Sequence, residues 1–232
     1  MSEELRAIGL SVDGLKPVAE GALLDIEAAT AFEKLVRRAA KAGFGLSVAS
    51  GFRRYDHQLQ IVNDKWLGLR EVTDARGFKL EYGSVSDQIW LKAILRYSAL
   101  PGTSRHHWGT DIDIWDQSIV GQGFTPKLIY SEYTGTGEFS EMTEWLDRLV
   151  AADDAEGFFK PYKEDRGGVA PEPWHISYRP IADKYQRLLS LENCMPLWKG
   201  RSDPLGHRHE PLAMLKVVEP LAKCIFDNYV FL

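Results

Sequence analysis

Ser104-Arg105-His106-His107-Trp108-Gly109-Thr110-Asp111-Ile112-Asp113 sets a histidine seven positions ahead of an aspartate. From Thr110 to Trp115 polar and apolar residues alternate. That predicts a strand with Ile112 and Ile114 on one face and Asp111 and Asp113 on the other. About sixty residues later comes Glu172-Pro173-Trp174-His175, at the entry to a second alternating run, Trp174 to Tyr178. His106, Asp113 and His175 supply three nitrogen or oxygen donors, the protein ligand count of an open catalytic zinc site. Zinc in such a site lowers the pKa of bound water to about 7, and a nearby carboxylate off the metal must then shuttle the proton. Glu172 suits that role. It stands three residues before His175, and Pro173 between them prevents a regular helix, so an entering loop can aim both at one ion. His107 rivals His106, but adjacent residues of extended chain point opposite ways, so only one of them faces the site.

Outward from this pair of segments, the chain reads as one α+β domain. Asp25 to Gly43 carries Ile26, Ala29, Phe32, Leu35, Val36, Ala39 and Ala40 at helical spacing, opposite Glu33, Lys34, Arg37 and Arg38. Phe44 to Ser50 is a short strand ended by Gly51. Tyr55 to Trp66 resumes helical spacing through Leu59 and Val62. Arg53 therefore sits in a strand-to-helix turn, where a side chain can reach a cleft or simply start a solvated helix. Gly68 to Gly83 is a polar loop. Ser86 caps a helix that buries Ile89, Trp90, Ala93, Ile94 and Tyr97, and Ser140 caps another reaching about Ala152. Residues 1–24 read as an irregular lead-in and 153–171 as loop. Ile181 to Leu191 is helical. The core spans about residues 25–192, with a C-terminal extension beyond.

At 232 residues the chain can bury a good core without disulfides. Apolar content of 44% and charged content of 26% are those of an ordinary globular protein. A net charge of −5 argues against a nucleic-acid partner. The first residues lack a signal-peptide pattern and no apolar run approaches the ~20 residues of a membrane span. The chain as written thus reads as cytoplasmic; removal of an export signal would leave the same sequence on a periplasmic or extracellular protein. Cys194 and Cys224 read as one disulfide or two free buried thiols, and His207 and His209, in a proline-flanked tail, read as exposed.

Ser104-x-His106-x-x-Gly109-x-x-x-Asp113 followed by Glu172-x-Trp174-His175 resembles the VanY-type zinc D-alanyl-D-alanine carboxypeptidases and dipeptidases, a group that extends to phage cell-wall endopeptidases and the hedgehog domain. Ser50-Gly51-Phe52-Arg53, with Gln58 five residues on, is similar to that family's Ser-Gly-Tyr-Arg…Gln segment. The likeness runs from about Phe44 to about Tyr178. It implies a small, mainly antiparallel sheet flanked by helices. It also implies Zn²⁺ at His106, Asp113 and His175, Glu172 as catalytic base, and Arg53 binding and polarising the substrate. Ser104 and Gln58 would shape the pocket. Asp111 stands where the family commonly has a small residue, which makes it a substrate-binding candidate, a support for a ligand, or a solvated carboxylate.

The substrate implied is a peptidoglycan-derived peptide ending in D-Ala-D-Ala, cleaved by zinc-bound water. The alternatives are an L,D-carboxypeptidase or cell-wall endopeptidase on the same scaffold, and a non-catalytic hedgehog-like zinc module. Glu172 separates the last from the others, because a binding module needs no acid–base residue there. The sequence leaves oligomeric state open.

Overall fold

The computed structural model describes residues 2–18 and 21–231. In chain order the elements are α1 (Ser2–Ala7), β1 (Leu15–Pro17), β2 (Leu23–Asp25), α2 (Ile26–Lys41), β3 (Leu46–Ser50), α3 (Tyr55–Trp66) and α4 (Asp87–Leu95). There follow β4 (Asp111–Asp116), α5 (Gln117–Val120), α6 (Ser140–Ala151), β5 (Phe158–Phe159), β6 (His175–Tyr178) and α7 (Arg179–Leu188). α8 (Leu191–Trp198), α9 (Leu215–Val218), α10 (Ala222–Ile225) and a π-helical turn (Phe226–Val230) follow. Strands β3, β4, β6 and β5 form one antiparallel sheet in that order, and β1 pairs with β2 in a separate antiparallel ribbon. This is the expected α+β architecture, small antiparallel sheets flanked by helices.

One face of the larger sheet is apolar because its strands alternate. Val48, Ile112, Ile114 and Ile176 join Phe32 and Leu35 of α2 and Met142 and Leu146 of α6 in a single buried cluster. Asp25 starts α2: its Oδ1 accepts from the amides of Glu27 (2.9 Å) and Ala28 (3.4 Å), satisfying two of the helix's orphan donors. The second cluster is helical. Tyr55, Leu59 and Val62 of α3 and Leu91 and Ile94 of α4 pack with Tyr185, Trp198, Met214, Phe226 and Val230. The segment after residue 192, assigned above to an extension, therefore supplies part of the wall behind α3 and α4.

Several expectations need correction. Residues 1–24 are more ordered than an irregular lead-in: Arg6 of α1, 3% exposed, donates to Asp25 Oδ2 at 2.9 Å and to the carbonyl of Trp108 at 2.8 Å. It ties the first helix, the α2 cap and the histidine loop together, an arrangement that no local periodicity announces. Met1, Ala19 and Glu20 of that stretch lie outside the described residues. The 153–171 loop contains β5. Both cysteines are free, but only Cys194 is buried and Cys224 is exposed. His209 is buried at its side chain, 5% exposed, between Asp56 (2.6 Å) and Asp203 (3.1 Å), while His207 is exposed as read. No helix among the described residues is long and apolar enough to cross a membrane.

Candidate metal centre

Strand register builds the first half of the site. β4 and β6 pair with Asp111 opposite Ser177, Ile112 opposite Ile176 and Asp113 opposite His175. Because side chains alternate, this register sends all four polar residues to the face away from the isoleucine cluster. The His175 ring lies between the two aspartates, with Nδ1 3.0 Å from Asp113 Oδ1 and Nε2 2.9 Å from Asp111 Oδ1.

His106 arrives from the other direction, on a 3₁₀ turn spanning Arg105–Trp108 that Gly109 ends at φ 68°. A Cβ on Gly109 would stand 2.5 Å from Leu15 Cδ2 and 3.0 Å from the Asp25 amide nitrogen, so glycine is required by space as well as by handedness. His106 Nδ1 lies 2.9 Å from the carbonyl oxygen of Gly51. A carbonyl only accepts, so Nδ1 carries the hydrogen and Nε2, 3.3 Å from Asp113 Oδ2, keeps its lone pair.

The turn also explains His107. The segment is helical rather than extended, and successive residues of a 3₁₀ turn are rotated by about 120°, so His107 points away from His106. Its Nδ1 donates to the carbonyl of Arg53 (2.6 Å), and its Nε2 accepts from the Gly102 amide (3.0 Å). Burial pushes its pKa down to about 3, and the ring stays neutral as a brace.

Donor atoms of His106, Asp113 and His175 all lie within 4.8 Å of one another, and all three residues are buried. Two imidazoles and a carboxylate are the donor set of a catalytic zinc site. Each imidazole has its far nitrogen engaged, His106 by Gly51 and His175 by Asp111, which fixes tautomer and ring plane as in metal-ligating histidines. The residues fit a zinc ion.

Asp111 is fully buried, at 0% exposure. Its Oδ1 accepts from Arg105 Nε at 2.7 Å as well as from His175, and its Oδ2 accepts from Thr110 Oγ1 (2.7 Å) and Ser177 Oγ (3.0 Å). It stands behind His175 and does not line the cavity, so the substrate-binding candidate is placed as a support for the ring. The alternation located its face; it could not show that an imidazole would cover it. Burial disfavours the Asp111 carboxylate, yet Arg105 and His175 hold its pKa below the usual carboxylate range. Asp113 is likewise lowered, burial being outweighed by His106 and His175. For His175, burial opposes the imidazolium, but the hydrogen bonds it donates to Asp111 and Asp113 raise its pKa to about 10.

A cavity of about 800 Å³ opens over this cluster, walled by Arg53, Ser104, His106, Asp113, Glu172 and His175. Arg53 is pinned through its backbone: its amide donates to His106 O at 3.0 Å and its carbonyl accepts from His107. Its guanidinium donates to Gln58 Oε1 (2.8 Å) and Ser50 Oγ (3.3 Å). Gln58, 1% exposed, donates in turn to Ala99 O at 2.6 Å, so it shapes the cavity through Arg53 and not as a wall residue. Burial lowers the Arg53 pKa, with Asp113 and Glu172 opposing.

Glu172 is fixed by a turn in which the His175 amide donates to Glu172 O (3.0 Å), while the Glu172 amide donates to Tyr162 O (2.9 Å). Its Oε2 lies 3.6 Å from His175 Nδ1. Burial pushes its pKa up to about 8; His175 and Arg53 pull the other way and Asp113 adds to the rise. The cavity also contains Lys65, Ser98 and Tyr162, which the sequence did not single out. Tyr162 packs its ring 4.9 Å from that of His175. Tyr162 lies in the 153–171 loop and Lys65 is one of three charged residues of α3, with Asp56 and Asp64, and neither stands in a motif.

The fold brings the donor cluster together; the family follows from comparison. The family model for VanY, D-alanyl-D-alanine carboxypeptidase, matches residues 21–181, and the chain belongs to that family. An uncharacterized protein of Haemophilus influenzae is 36% identical over 104 residues, 44% of this chain and 78% of that protein. A D-alanyl-D-alanine carboxypeptidase of Enterococcus faecalis is 26% identical over 167 residues, covering 71% of this chain and 51% of the relative. Among solved structures, VanYB in complex with D-alanine-D-alanine matches with a TM-score of 0.50 and 28% identity, covering 78% of this chain and 87% of that one.

Proposed function

We propose that this chain is a zinc-dependent carboxypeptidase that removes the terminal D-alanine from peptidoglycan peptides ending in D-Ala-D-Ala. The observation that carries the reading is Glu172, a buried carboxyl whose pKa is pushed up to about 8, 3.6 Å from His175 at the edge of a three-donor cluster. A purely metal-binding module would gain nothing from a costly buried carboxyl there. The family and the D-alanine-D-alanine complex of a similar protein support the substrate class.

His106, Asp113 and His175 would hold the ion, and zinc supplies Lewis acidity to an otherwise unreactive amide hydrolysis. Glu172 takes a proton from the attacking water on a carboxylate oxygen as the new C–O bond forms. It returns that proton to the amine nitrogen as the C–N bond breaks, so one water is consumed and two termini result. One carboxyl beside the cluster can serve in both directions. Arg53, held by Gln58 and Ser50 on the cavity wall, would stabilise the negative charge that gathers on the carbonyl oxygen.

The test is incubation of zinc-loaded protein with a muropeptide pentapeptide, read by mass spectrometry. Loss of one alanine is expected. Cleavage at an L,D bond or within a cross-link would replace the reading by the L,D-carboxypeptidase or endopeptidase alternative, and an unchanged substrate would favour a non-catalytic module.

A further inference from the structure

The cavity wall carries more positive charge than its own carboxylates neutralise. Arg96 is paired with Asp165 (2.7 Å), Arg105 with Asp111 (2.7 Å) and Arg76 with Asp74 (3.3 Å). Two wall cations have no carboxylate ion-pair partner among the described residues, Arg53 and Lys65. Arg53 reaches only the neutral acceptors Gln58 and Ser50. Lys65, in the last turn of α3, is half-buried and donates to Ser98 Oγ at 2.8 Å. An ammonium removed from water with one neutral acceptor is a costly arrangement, and burial holds its pKa below the ordinary lysine value.

The two cations belong to one built wall. Gln58 links Arg53 to the carbonyl of Ala99, and Lys65 is fastened to Ser98, the preceding residue. The Ser98–Ala99 segment thus sets the spacing between them. Arg53, Lys65 and Glu172 all line the same cavity. A carboxypeptidase substrate presents two anionic points to such a wall: the carbonyl oxygen that gains charge during reaction, and the free α-carboxylate one residue further on.

We propose that Lys65, oriented by Ser98, is a specificity-determining residue that binds the free terminal carboxylate of the peptide, leaving Arg53 for the reacting carbonyl. The inference rests on the carboxypeptidase reading and adds to it the group that makes the enzyme require a free C-terminus. A charge-assisted hydrogen bond of this kind is worth about 10- to 100-fold in binding.

The experiment compares a peptide ending in D-Ala-D-Ala as free acid with the same peptide as its C-terminal amide. Wild type, Lys65→Met and Lys65→Arg are each measured by calorimetric binding and, in parallel, by product release. Wild type should prefer the acid by about 10- to 100-fold, Lys65→Met should lose that preference mainly through KM, and Lys65→Arg should restore most of it. An acid-to-amide ratio unchanged in Lys65→Met overturns the inference. So does a wild type that releases product from both peptides equally, and that result would leave the peptidase reading standing. If wild type binds the acid selectively but cleaves neither peptide, the peptidase reading fails while the assignment of Lys65 to the carboxylate stands on the binding ratio.

Discussion

Asp111 shows how much of a site depends on residues that stand behind the candidate donors. It accepts from His175, Arg105, Thr110 and Ser177, so its buried charge is matched on every side. By accepting the Nε2 hydrogen of His175 it frees Nδ1 for the cluster and makes that nitrogen more basic. Asp111→Asn preserves the shape while removing the charge that balances Arg105 and His175. We expect zinc affinity to fall about 10- to 100-fold with the fold retained, as measured by competition with a chelator at fixed pH. An unchanged zinc affinity would mean that Asp111 is only a structural partner of Arg105. His107 teaches the complementary lesson. Two adjacent histidines in a motif look interchangeable, yet one carries the candidate donor and the other clamps the carbonyl of Arg53 at 2.6 Å. Composition cannot tell them apart; the rotation per residue of a 3₁₀ turn does.

At the scale of elements, the β4–β6 register is what turns a sequence motif into a site. Asp113 faces His175 only because Ile112 and Ile176 are paired on the opposite face, each 0% exposed. A slip of one residue would bury the aspartates among isoleucines, so the apolar cluster enforces the polar geometry. Ile176→Ala should cost about 2–5 kcal/mol of stability in denaturant unfolding, because the site is too tightly packed to collapse around the lost methyls. A loss under about 0.5 kcal/mol would show that the register does not depend on this pair. The same reasoning explains what was legible. α2, α3, β4 and β6 repeat their pattern over several periods, so periodicity alone located them. β5 is two residues and β1 and β2 three each, too short for any pattern to rise above chance. α1 escaped for another reason: its main anchor is Arg6, a charged residue that periodicity assigns to solvent.

Over the whole molecule, the site lies where two separately built halves meet. The sheet and its helices supply Asp113 and His175, while the turn before α3 and the 3₁₀ turn beside it supply Arg53 and His106. Residues after 192 hold the second half in place: Trp198 donates to Pro101 O at 2.8 Å, three residues before Ser104, and Cys194 is buried against Gly102. These contacts are long-range and specific to the fold, which is why the tail read as an extension. The donor residues were legible because the motif fixes their types and spacing; their supports were not, because Arg105, Tyr162 and Lys65 come from segments whose meeting is a property of the packed chain.

The central claim is that Glu172 makes this cluster hydrolytic. It is tested most directly by measuring D-alanine release from a D-Ala-D-Ala-terminated peptide by wild type and Glu172→Gln, with the zinc content of each determined on the same samples. The amide keeps the shape of the side chain and removes its basicity, so zinc content should be equal. Release should fall by about 10²–10⁴-fold, the usual worth of general acid–base assistance. Equal release by both proteins at equal zinc content would contradict the account.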